Sequence, residues 1–173
     1  MEFVRLSEED GSWQSFLSDW EAQCARLDED FESYLFSAID IVKDLAAPPL
    51  QTHSGVYAIK DADGVFLLMC QLNAAHLPGY TGRVLRVRQL CFAPMYDVGE
   101  LDLEHYAQAL VALFYEIVTL SKKDMPAAHI KFHLRSPNDR LFFTALGSAL
   151  MRSGEFSSVV MRGAWLYISK ANN

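Results

Sequence analysis

Apolar positions along the chain switch between two periods, and the switches divide it into elements. Residues 1–6 alternate, Phe3 and Arg5 against Val4 and Leu6, and predict a short first strand. Beyond the cap-rich Ser7-Glu8-Glu9-Asp10, Trp13, Phe16, Leu17, Trp20, Cys24 and Leu27 recur at helical spacing. A second helical stripe follows Asp28-Glu29-Asp30, runs from Phe31 through Tyr34, Ala38 and Val42 to Leu45, and stops at Pro48-Pro49. Residues 55–60 and 65–72 then alternate on either side of Asp61-Ala62-Asp63-Gly64, a strong hairpin signal. Residues 73–82, with Pro78-Gly79 and Thr81-Gly82, predict a looser connection into a third strand at 83–92. A long apolar helix from about 103 to 121 comes next, then a strand at 129–135, a turn at Ser136-Pro137-Asn138-Asp139, and a helix at 140–153 closed by Gly154. Residues 156–169 supply one or two final strands, with Gly163 as a bend or bulge.

Composition bounds the function classes. One domain fits 173 residues, and an apolar content of 51% fills a core. A net charge of −7 argues against nonspecific binding to nucleic acid or to an anionic membrane. The acid is concentrated at the front, where residues 1–47 carry twelve acidic and three basic side chains. Such helices read as a solvated face, or as a dock for a cationic partner. Cys24, Cys70 and Cys91 are odd in number and widely spaced within apolar segments, the pattern of reduced core thiols. The acidic start lacks a basic and apolar leader, and the most apolar run, 107–120, is too short to span a bilayer. The expectation is a soluble, cytoplasmic protein, with a homodimer left open.

Chemistry-bearing residues are few. On the 129–135 strand, His129, Lys131, His133 and Arg135 share one face and Ile130, Phe132 and Leu134 the other. The first set reads as a solvated or edge face, or as a small anion site to which Arg86 and Arg88 of the neighbouring strand add charge. Four residues of strand separate His129 from His133 by about 13 Å, too far to share a zinc ion, so no metal is expected. Strict alternation puts Cys91 with Leu85, Val87 and Gln89, as a buried thiol. Glu104-His105-Tyr106 reads as an exposed helix start rather than an acid–base cluster. Trp13, Trp20 and Trp165 fall in apolar stripes and are expected in the core or at an interface. Walker, Gly-x-Ser-x-Gly, HExxH and paired CxxC patterns are absent from the sequence.

Three segments carry a resemblance: Phe92-Ala93-Pro94 at a strand end, Asn138 between a strand and a helix, and residues 150–156 leading from a helix through Gly154 to Phe156. With them, the order β-α-α-β-β-β-α-β-α-β(-β) resembles the GNAT (acyl-CoA N-acyltransferase) fold over 1–173. That fold is a single α/β (α+β) domain with a mixed, mostly antiparallel sheet flanked by helices. The resemblance implies acetyl-CoA or another acyl-CoA as donor and a small-molecule amine or anion as partner. It implies cofactor contacts at Leu90, Cys91, Phe92, Gly99 and Asn138, with backbone N–H groups near 90–92 polarising the thioester carbonyl. Asn138 and His133 become the catalytic candidates, and Arg86, Arg88, Lys131 and Arg135 the substrate side. The family's pyrophosphate turn reads roughly Arg/Gln-x-x-Gly-x-Gly/Ala. Here residues 95–105 hold Gly99, no Arg or Lys, and the acids Asp97, Glu100, Asp102 and Glu104. The family's late-helix tyrosine is also missing: Phe142, Phe143, Ala145 and Leu150 stand in that region. Two alternatives stay open: a non-catalytic module binding a small anion or a protein, and a transferase using a carrier-protein thioester.

Overall fold

Hairpin chemistry organises the first half of the sheet. Asp61 Oδ1 accepts from the N–H groups of Asp63 and Val65 at 2.9 Å each, while Gly64 takes φ 85, which a side chain would resist. The strands so joined are β2 (Ser54–Lys60) and β3 (Phe66–His76), antiparallel from Ser54↔Asn73 to Lys60↔Phe66. The computed structural model describes residues 1–97, 103–134 and 136–171, without the side chains of residues 35–37, 97, 103, 138 and 148. Before the hairpin come β1 (Glu2–Leu6), α1 (Ser12–Arg26) and α2 (Phe31–Val42), the last followed by a 3-10 turn at Lys43–Leu45. After it come β4 (Arg83–Phe92), the short α3 (Pro94–Asp97), α4 (Leu103–Leu120), β5 (His129–His133), α5 (Pro137–Arg152), β6 (Phe156–Arg162) and β7 (Trp165–Lys170).

The seven strands form one sheet in the order β1-β2-β3-β4-β5-β7-β6, with β4–β5 the parallel pair and the other neighbours antiparallel. Three boundaries differ from expectation. β3 runs on through Asn73–His76 because those residues pair with β4, so the loose connection begins later. β5 ends at His133, and Arg135 lies outside the described residues. α5 starts at Pro137, whose missing N–H suits a first helical position, so Asn138 sits inside the first turn. Gly163, at φ 58, makes the two-residue β6–β7 turn with Ala164 rather than a bulge.

The helices cover the sheet unequally. Leu110, Leu113 and Ile117 of α4 and Phe143 of α5 bury the face carrying Leu72, Leu85, Ile130, Phe132 and Ile168. On the opposite face Trp13, Phe16 and Trp20 of α1 and Ala38 and Val42 of α2 pack on Leu6, Val56, Ala58, Phe66 and Met69. Among the described residues this second core takes none from β5, β6 or β7. Among the described residues no helix is long and apolar enough to cross a membrane.

One irregularity in β4 overturns the alternation expected there. Arg88 pairs with Gln71 and Cys91 with Met69, so Gln89 and Leu90 together oppose Cys70, and Gln89 takes φ 47. The extra residue returns Leu90 and Phe92 to the face of Leu85 and Val87, and it turns Cys91 to the second core, where it is half-buried. Cys91 is therefore not the fully buried thiol on the Leu85 face that strict alternation placed there. Cys70 is fully buried, and burial pushes its thiol pKa far above the ordinary value. Comparing Gln89→Gly with Gln89→Val isolates the backbone: both lose the glutamine, but a β-branched residue tolerates φ 47 poorly. The valine variant is expected to be less stable by about 1–2 kcal/mol in urea unfolding.

Candidate active site

The kink at Gln89 coincides with a break in the sheet. β4 and β5 pair only from Val84↔His129 to Val87↔Phe132. Beyond that point β4 continues to Phe92, whereas β5 stays with β7 through His133↔Trp165, and the Leu134 N–H bonds the Ala164 carbonyl at 2.8 Å. Among the described residues no strand pairs with residues 88–92 of β4 on this side, which leaves an opening between β4 and β5. The Ala93 N–H is held by Leu67 O of the β3 side at 2.9 Å. Counting back by alternation, the N–H groups of Phe92 and Leu90 turn away from β3 and into the opening, while that of Cys91 points to β3.

Side chains from three helices close on this opening. Tyr34 of α2 donates its hydroxyl to the Phe92 carbonyl at 3.0 Å, fixing the strand end from the α1–α2 side. On the α4 side the Tyr106 ring stacks on Phe92, with centroids 4.1 Å apart and planes at 19°. The Tyr106 hydroxyl donates to the carboxylate of Asp139, which is buried in the first turn of α5. Tyr96 stands edge-on to both Phe92 and Tyr106, and burial, with Asp61 nearby, raises its hydroxyl pKa. Tyr106 thus has an acidic partner, which is Asp139 rather than its sequence neighbour Glu104. A tyrosine hydroxyl does reach this region, from α4 instead of the late helix.

Beside the opening, on the face that α1 and α2 leave uncovered, lie the residues expected on the substrate side. Arg86 sits directly opposite Lys131 in the parallel register, and Lys131 opposite Tyr167. Lys131 Nζ lies 4.7 Å from the centre of the Trp165 ring, 4.6 Å from that of Tyr167 and 5.9 Å from that of Tyr80. His133 packs on Trp165 at 4.5 Å, and His129 bonds Ser169 Oγ at 2.9 Å and Thr81 O at 3.0 Å. Trp165 is therefore half-buried among cations on an open face, unlike the core residues Trp13 and Trp20. β5 is an interior strand between β4 and β7, so its polar face is not a sheet edge.

Leu90, Phe92, Arg86, Arg88, Lys131 and His133 all belong to this region. Cys91 does not: its side chain enters the second core and its N–H turns to β3. Gly99, Glu100, Asp102 and Arg135 lie outside the described residues, as does the Asn138 side chain. Among the described residues no three His, Cys, Asp or Glu side chains gather as a metal site would require. Sequence reading missed Tyr34, Asp139 and the Gln89 kink, and it set Tyr106 aside as part of an exposed helix start, whereas the residue is half-buried against Phe92. The hydroxyls were hidden in apolar stripes, and a single extra residue in a strand leaves no trace in composition.

No protein-family model matches the chain, and no curated protein matches it in sequence. Solved structures do match it in shape. A structure described as "a probable acetyltransferase" superposes over 85% of this chain and 89% of its own, with a TM-score of 0.53 at 15% identity. A ribosomal-protein-alanine N-acetyltransferase from Brucella melitensis biovar Abortus 2308 covers 94% and 99%, with a TM-score of 0.49 at 13% identity, and adds no weight of its own. At such identities the likeness speaks for architecture alone. The topology, the parallel β4–β5 seam and the first of these likenesses together give this chain the GNAT-like fold.

Proposed function

We propose that this protein transfers an acyl group from a thioester, an acyl-CoA in the first instance, to a primary amine. The observation that carries the reading is the kink at Gln89, with β4 and β5 parting just beyond it. A regular strand spends its N–H groups on its neighbours. Here Leu90 and Phe92 direct theirs into an opening, where they can donate to a carbonyl oxygen as negative charge builds on it. Fixed backbone donors of this kind contribute about 10²–10³ in rate. The thioester supplies an activated carbonyl carbon and a thiolate leaving group. The amine forms the new C–N bond as the C–S bond breaks, so the amine loses one proton and the thiolate gains one.

Two hydroxyls border the opening. Tyr34 anchors the Phe92 carbonyl and with it the direction of the neighbouring N–H groups. We assign Tyr106, stacked on Phe92 and hydrogen-bonded to Asp139, to the side of the opening from which the thiolate would leave. The acyl end of the donor fits the donors of β4. The sequence that follows β4 holds Asp97, Glu100, Asp102 and Glu104 and no Arg or Lys between residues 95 and 105, a charge balance that would weaken the grip on the CoA diphosphate without altering the chemistry at β4.

Deleting Gln89 tests the reading, because it removes the extra residue while leaving the pairs on either side in register. Thiol release from acetyl-CoA and longer acyl-CoAs, with a mixed panel of amines, is expected for the parent protein. It should fall at least about a hundredfold in the deletion variant, with circular dichroism unchanged. Equal rates in the two proteins would remove the kink from the mechanism. Absence of thiol release with every donor and amine, together with no heat of binding at millimolar CoA, would favour a binding module without catalysis.

A further inference from the structure

The face of β4, β5, β7 and β6 left open by α1 and α2 concentrates positive charge in an acidic protein. The chain carries −7 overall, yet the formal charges that strand register places here are those of Arg86, Arg88, Lys131 and Arg162. The ion pairs among the described residues, Lys43–Asp40, Lys60–Glu2 and Lys122–Glu155, all lie elsewhere. Arg86 and Lys131 stand directly opposite each other, an arrangement of like charges that destabilises a sheet unless something neutralises it.

The cations are also held in place. Trp165, Tyr167 and Tyr80 surround the Lys131 ammonium and position it through their ring faces, which leave its charge intact. Arg162 lies 5.7 Å from the centre of the Tyr167 ring. Arg86 donates through Nη2 to Asn73 Oδ1, while its Nε is buried without a hydrogen-bond partner. A buried donor left in that state is unfavourable, so an acceptor that lets the guanidinium turn and bond fully is favoured. Arg88, exposed and next to the kink, is about two residues of strand, roughly 7 Å, from Leu90, whose N–H faces the opening.

We propose that this face seats the acceptor, and that the acceptor is a small primary amine bearing a carboxylate or a phosphate. Arg88, Arg86 and Lys131 take the anion, and an amine a few bonds away reaches the carbonyl held by Leu90 and Phe92. This assignment rests on the acyl-transfer reading for its chemistry, but the anion site stands on the charge pattern alone. The amine attacks as described above, so the anionic group is a handle and takes no part in bond changes.

The test pairs amines that differ in charge: aspartate and O-phosphoethanolamine against ethanolamine, with inorganic phosphate and succinate as non-reactive probes of binding. At low salt the kcat/KM of the better anionic amine should exceed that of ethanolamine at least about tenfold. Arg88→Gln and Lys131→Gln should each erase about tenfold of that preference while KM for the thioester stays fixed, and Lys131→Arg should retain most of it. The carboxylate and phosphate arms name the source of the anion by which amine is favoured. Phosphate or succinate binding that Arg88→Gln weakens, in a protein without transferase activity, would uphold the anion site and defeat the acyl-transfer reading. Ethanolamine used as well as either anionic amine, with no saturable binding of phosphate or succinate, would overturn the proposal and leave acyl transfer standing.

Discussion

Trp20→Ala is expected to lower the free energy of unfolding by about 3–5 kcal/mol, a large part of the roughly 5–15 kcal/mol that holds a typical domain together. Trp20 is fully buried, packs on Phe16 at 4.6 Å, and donates Nε1–H to the Phe66 carbonyl at 3.0 Å. Its neighbours on α1 bind the same residue: Asp19 Oδ2 accepts from the Phe66 N–H at 2.9 Å, and Gln23 Nε2 reaches the Phe66 carbonyl at 3.3 Å. The alanine variant leaves a large void and a weakened clamp on the first residue of β3. The same void loosens α2, since the Tyr34 ring meets Trp20 edge-on at 6.4 Å. Urea unfolding followed by circular dichroism gives the number. Trp20→Phe, which keeps most of the volume and loses the indole N–H, should cost less than half as much. A loss under about 1 kcal/mol for the alanine variant would mean that α1 contributes little to the fold.

Asp97→Asn combined with Glu100→Gln is expected to raise affinity for coenzyme A by about ten- to a hundredfold. Helix α4 begins at Leu103 with Glu104 in its first turn, and a helix N-terminus ordinarily favours an anion there by about 0.3–1 kcal/mol. Sequence supplies Asp97, Glu100, Asp102 and Glu104 around that terminus and no compensating Lys or Arg between residues 95 and 105. A carboxylate about 8 Å from a doubly charged diphosphate opposes binding by about 1 kcal/mol at the dielectric of water, and the effect shrinks as salt rises. Calorimetry at low and high ionic strength separates the contributions. The gain should be largest at low salt and should largely vanish near 1 M, where the Debye length falls to about 3 Å. Unchanged affinity at low salt would show that the turn does not face the diphosphate.

Much of the architecture was legible in the sequence because periodicity reports burial directly. The Asp61–Gly64 turn, the two acidic-flanked helices and the late alternating strands all appear where their patterns put them. What escaped was information carried by pairing rather than by pattern. Asn73–His76 extend β3 only because β4 lies beside them, and Pro137 begins α5 although a proline before a polar run reads equally well as a turn. The Gln89 kink was invisible because a glutamine at φ 47 has no compositional signature, and it inverted the side assigned to Cys91. At the site, Arg86, Arg88, Lys131 and His133 could be grouped by alternation alone. Tyr34, Tyr106 and Asp139 could not, since each belongs to a different helix and they converge only when the sheet brings the end of β4 between them.

The β4–β5 seam has a mechanical consequence. Among the described residues, main-chain hydrogen bonding between the strands preceding α4 and those following it is confined to four residues of parallel ladder and the Ala128 N–H to Arg83 carbonyl bond beside them. The core beneath α4, in contrast, draws side chains from both groups, so this helix acts as a spine to which two leaves are hinged. Amide exchange should then be faster along the seam than along the longer β2–β3 and β3–β4 ladders. Under the proposed acyl transfer, a bulky acyl chain would enter by a slight parting of the leaves, with each leaf moving as a stiff unit and the spine unbroken.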